Sequence, residues 1–99
     1  MEITTKQRLQ AYRVLLGDAL VAERKKKKLS QQAVADMSGI SRVSVSYYEN
    51  GVRSINTDDL IALCDACGFD SVSVLKSVQY ASEEDVLKAY KRYLLNKEK

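Results

Sequence analysis

The sequence predicts an all-α fold: six helical stretches, the first of them extended and the last additional to a bundle of five. Three observations point there. Apolar residues recur three or four apart through most of the 99 residues, which is the spacing of helices with one inward face. Twice in succession a serine opens such a stretch and a glycine closes it, Ser30 to Gly39 and Ser41 to Gly51; serine suits a helix N-cap and glycine the left-handed position past the last turn. The chain contains no proline, so no residue type forces a break inside these stretches.

The first helix runs from about Thr5 to Lys27, with Leu9, Tyr12, Leu16 and Leu20 as its apolar stripe. Gly17 weakens it by about 1 kcal/mol relative to alanine. The run Lys25-Lys26-Lys27-Lys28 closes it, where positive charge complements the helix dipole. Ser30 caps the second helix, whose inward residues are Val34, Ala35 and Met37, and Ser38-Gly39 stops it.

Residues 41–51, SRVSVSYYENG, alternate Val43, Val45 and Tyr47 with small polar residues, a pattern that suits a half-buried strand. The flanks decide for a helix. With Ser41 as cap and Gly51 as terminator, Val45 and Tyr48 lie three apart on an inner face, leaving Arg42, Val43, Ser46 and Tyr47 outside. Ile40 is a buried link between two short helices, the form of a helix-turn-helix.

Beyond a loop carrying Arg53, Asn56 or Thr57 caps a helix with the stripe Leu60, Leu63, Cys64 and Cys67, ended by Gly68, after which Phe69 returns to the core. Ser71 starts a short helix with Val72 and Leu75 inside. Ser82-Glu83-Glu84-Asp85 opens the last one as a capping box, with Val86, Leu87, Tyr90, Tyr93 and Leu94 as its apolar side. Residues 1–99 are expected to form a single domain, with the bundle at about 12–77 and residues 82–97 as a terminal helix used for packing or for dimerisation.

The formal net charge of +3 is unevenly spread: residues 1–56 hold ten Lys or Arg against five Asp or Glu, and residues 57–99 six against eight. A basic first half is the footprint expected of a polyanion-binding face. Histidine is absent and the only cysteines are Cys64 and Cys67, which leaves neither the usual general base nor a four-ligand zinc set. Both sulfurs continue a helical apolar stripe, so core packing explains them better than redox chemistry. No metal site, no cofactor and no enzymatic activity are expected. No long apolar run or leader-like start suggests a membrane span or secretion, and a cytoplasmic location is expected.

These residues together resemble the Cro/C1-type, lambda-repressor-like helix-turn-helix family. The resemblance covers roughly Leu16 to Leu75 and rests on Leu29-Ser30-Gln31, Val34-Ala35, Gly39-Ile40-Ser41, Val45, Tyr48-Glu49-Asn50-Gly51 and the run from Leu60 to Phe69. It implies a five-helix bundle whose third helix enters the DNA major groove, usually on a dimer. On this sequence it implies that Arg42, Val43, Ser46 and Tyr47 face base edges and that Gln31, Ser41, Asn50 and Arg53 hold the DNA backbone. Arg24 and Glu49 match positions that often form an ion pair between the first and third helices.

The reading that follows is a sequence-specific transcription regulator, a repressor, of bacterial or phage type, acting on double-stranded DNA as a homodimer. The alternative is a protein-interaction module, an antitoxin or adaptor, docking a protein partner through the stripe of the last helix. Fold alone does not separate them; the basic first half and the exposed Arg42, Ser46 and Tyr47 favour DNA.

Overall fold

The computed structural model describes residues 2–97. It contains helices α1 (Thr5–Lys26), α2 (Gln31–Ser38), α3 (Arg42–Asn50), α4 (Thr57–Cys67), α5 (Ser71–Gln79) and α6 (Glu83–Lys97), with no strand among the described residues. Each start has a local cause. Thr4 caps α1 in a capping box with Gln7, Ser30 caps α2, Ser41 caps α3 and Asn56 caps α4, each side-chain oxygen accepting a backbone N–H of the first turn. Gly39, Gly51 and Gly68 end α2, α3 and α4 in the left-handed conformation. The first helix stops one residue before the expected Lys27; α5 starts at Ser71 as expected, capped by Asp70, which accepts from the backbone N–H of Val72 and Ser73.

Two apolar clusters hold the helices. The larger gathers Leu20, Val34, Ile40, Val45, Tyr48, Leu63, Phe69 and Val74 at the centre of the first five helices. The smaller joins Ala11 and Val14 of α1 to Val86, Ala89 and Tyr93 of α6. The long α1 therefore serves both: its second half is the wall of the main core and its first half is the seat of α6. Arg8 donates to Glu83 through both terminal guanidinium nitrogens at 2.8 and 3.0 Å, and Arg92 likewise donates to Asp18 at 2.7 and 2.8 Å. That order of pairing makes α1 and α6 parallel. Exposed pairs of this kind contribute little stability, but they fix the register.

Four helix faces differ from the sequence reading. On α1 the fully buried row is Ala11, Val14, Gly17 and Leu20, while Leu9 is exposed and Tyr12 and Leu16 flank the row. The helix is pressed by neighbours on more than one side, so its deepest row takes small residues that a search for large apolar side chains passes over. On α5, Val74 is wholly buried while Val72 and Leu75 are exposed. Its two apolar rows are equally plausible in sequence, and packing decides: Val74 lies in the main core cluster with Leu20, Leu63 and Phe69. Met37 is exposed as well, as is Leu94, and Ala89 takes an inward place on α6.

Candidate nucleic-acid interface

The placement of α3 begins with two glycines. A Cβ on Gly17 would stand 2.5 Å from the Glu49 carbonyl oxygen and 2.6 Å from that of Tyr48; one on Gly51 would stand 2.6 Å from the Val14 Cα. Only the missing side chains let the last turn of α3 lie directly on the backbone of α1. The inner side of α3 is then filled by Val45, Tyr48 and the buried carboxylate Glu49. The Tyr48 hydroxyl donates to Asp59 of α4, and burial, followed by that bond, raises the phenol above its ordinary range.

Glu49 is the hub of a polar network. Arg24 donates to it from Nε at 2.7 Å and from a terminal nitrogen at 3.0 Å, while its other terminal nitrogen donates to the Leu29 carbonyl at 3.0 Å. Both side chains are poorly accessible, 15% for Arg24 and 6% for Glu49, and the carboxylate raises the guanidinium above its usual range. Gln31 donates to the same carboxylate at 2.9 Å and accepts from Arg42 at 3.4 Å. Arg24, Glu49, Gln31 and Arg42 thus form one chain of contacts linking α1, the start of α2 and the start of α3.

The outer side of α3 carries Arg42, Val43 and Tyr47 in the open and Ser46 half-buried. The Arg53 guanidinium lies 4.7 Å from the Tyr47 ring centroid and donates to Ser44 Oγ at 3.1 Å. Arg53 therefore lies along the outer face of the helix rather than apart from it. Asn50 is exposed at the end of α3, within 3.5 Å of Ser46 Oγ. Ser41 accepts the Ser44 N–H at 3.1 Å and bonds Ser44 Oγ at 3.0 Å, so its hydroxyl is engaged in the cap and must turn to donate elsewhere.

Ser44 and Asn96 were not singled out in the sequence. Ser44 joins the cap to Arg53, and Asn96 of α6 donates to the Asn50 carbonyl at 2.9 Å. The serine is one of four in residues 38–46, with nothing in its spacing to distinguish it, and the asparagine lies 46 positions from its partner. Both cysteines are free, and burial raises both thiols above their usual range; no group of three or more His, Cys, Asp or Glu that could hold a metal ion occurs among the described residues.

The helix-turn-helix family model matches residues 20–72, from the second half of α1 into the start of α5. The chain belongs to the helix-turn-helix family. Over 52 residues it is 38% identical to Repressor protein C2 of Salmonella phage P22, a stretch that covers 52% of this chain and 24% of that protein. The chain thus spans about a quarter of the curated relative it matches. No solved structure matches. α2 and α3 form the helix-turn-helix of the matched residues, with buried Ile40 in the turn between them; α6 and the first half of α1 lie outside the match. No described helix is long and apolar enough to cross a membrane.

Proposed function

We propose that this helix-turn-helix chain is a sequence-specific transcription regulator, a repressor of bacterial or phage type that lays α3 in the major groove of double-stranded DNA. The observation that carries the reading is the contrast between the two sides of α3: an inner side locked by Gly17, Gly51 and Glu49, and an outer side that leaves Arg42, Val43 and Tyr47 exposed. A firmly held helix with an exposed outer face is what base reading requires. Arg42 offers a planar fork to guanine O6 and N7, Val43 an apolar contact for a thymine methyl, and Ser46 and Tyr47 short and long hydrogen-bonding groups.

The backbone-holding set surrounds that face. Gln31 keeps one amide hydrogen beyond the one given to Glu49, and Asn50, Ser41 and Arg53 stand at the two ends and along the side of the helix. Contacts of this kind release counterions, so affinity falls as salt rises. Arg24 and Glu49 act as positioning residues.

A homodimer is part of the proposal, because one short helix reads few base pairs and a second copy multiplies discrimination. Val72 and Leu75, exposed one turn apart on α5, offer an apolar surface for it. The adaptor reading is less favoured: Val86 and Tyr93, central to the stripe it needs, are buried against α1. As a regulator of bacterial or phage DNA the protein would act in the cytoplasm. The test is enrichment of duplexes from a random pool, followed by footprinting beside the protein's own gene; a pool that stays random after repeated selection contradicts the proposal.

A further inference from the structure

We infer that the carboxy-terminal end of α6 is a second, backbone-gripping part of the DNA interface, in which Lys97 meets a phosphate and Asn96 holds it in place. The inference rests on the DNA reading of α3. Its first support is position. The parallel packing of α6 on α1, fixed by Arg8 with Glu83 and Arg92 with Asp18, carries the end of α6 to the end of α3. There Asn96 donates to the Asn50 carbonyl at 2.9 Å, and an open cleft of about 390 Å³ is lined by Tyr47, Asn50, Val52, Asn96 and Lys97. Two of those residues, Tyr47 and Asn50, belong to the proposed reading and backbone-holding sets.

Its second support is charge. The acids of α6 are confined to its first turn, Glu83, Glu84 and Asp85, and residues 86–97 carry Lys88, Lys91, Arg92 and Lys97 with no acid; Lys88 pairs with Glu84 and Arg92 with Asp18, so Lys91 and Lys97 are the cations of α6 outside those pairs, and Glu98 and Lys99 follow in the sequence. The helix dipole accounts for a preference of sign at each end. It does not account for the basic end being bonded to the reading helix. Lys97 Nζ lies 5.9 Å from the ring centroid of buried Tyr93, a weak cation–π approach that brings the ammonium to this end of the helix. A phosphate lying over the cleft would meet Asn50 from one side and Lys97 from the other.

The experiment is titration of a mixed-sequence duplex across a salt series with the wild type, Lys97→Ala, Asn96→Ala and Lys88→Ala. Lys88 removes the same charge from α6 but bonds Glu84 near the helix's other end. Each lost phosphate contact should reduce the slope of log affinity against log salt by about 0.9. Lys97→Ala and Asn96→Ala are expected to show that reduction per bound chain with an unchanged melting temperature for Lys97→Ala, and Lys88→Ala to keep the wild-type slope. Equal slopes for Lys97→Ala and Lys88→Ala overturn the inference while the wild-type slope still upholds DNA binding. Absence of wild-type binding at low salt overturns the DNA reading itself, and this inference with it.

Discussion

Gly17 of α1 faces the carbonyl oxygen of Glu49 so closely that a Cβ would stand 2.5 Å from it. By helix propensity alone Gly17→Ala should stabilise the chain by about 1 kcal/mol. The obstructing atoms are backbone, which cannot swing aside, so overpacking at about 1–3 kcal/mol should prevail. Urea melts of Gly17→Ala are expected to show lower stability than wild type. A more stable variant would mean that α1 and α3 are not held in this contact.

Glu49 anchors three donors from Arg24 and Gln31. Glu49→Gln strands the Arg24 guanidinium, and the loss should lie near 3 kcal/mol, where the range for charged hydrogen bonds meets that for broken buried pairs. A denaturation midpoint equal to wild type would show that the pair is spectator to folding.

The buried Glu23 carboxylate accepts the Asp70 N–H at 2.6 Å and pairs with Lys26 at 2.9 Å. The bond from Asp70, then Lys26, holds it below the usual carboxylate range. With the folded pKa below the unfolded value of about 4.3, its stabilisation is present above that value and lost as pH falls through the folded one. Glu23→Gln should therefore be less stable than wild type at pH 7 by about 1 kcal/mol, the margin of a charged over a neutral hydrogen bond. The gap should close in acid. Paired melts at neutral and low pH test this, and a gap independent of pH would contradict it.

The helix starts and stops were legible because capping chemistry is local: Ser30, Ser41 and Asn56 each act on the turn that follows, and Gly39, Gly51 and Gly68 sit where only a left-handed residue fits. Facing was less legible. The α5 sequence offers Val72 with Leu75 or Val74 with Val78 as an inward row, and α1 buries Ala11 and Gly17 in preference to Leu9. Those choices are made by neighbours distant in sequence. Of the candidate site, the outer residues of α3 could be read from Ser41 and Gly51, but the Arg53 stack on Tyr47 and the Asn96 bond to Asn50 depend on loop path and on α6.

Because Val86, Ala89 and Tyr93 cover Ala11 and Val14, cutting the chain after Tyr80 would expose a core and would not isolate a dimer contact. The exposed pair on α5 can be changed without that cost. Val72→Asp with Leu75→Asp is expected to shift sedimentation of the free protein from dimer to monomer while leaving the helical content intact. A dimer that survives the double change does not use α5.

Arg42 is the central sequence reader of the proposed complex. The decisive measurement is binding of wild type and Arg42→Ala to a duplex selected from a random pool and to its scrambled counterpart at one fixed salt. Loss of the guanidinium fork should cost about 1–3 kcal/mol per half-site on the selected duplex and little on the scrambled one, so that discrimination collapses. Equal losses on both duplexes would make Arg42 a phosphate clamp and would contradict the assignment of the outer face of α3 as the reading face.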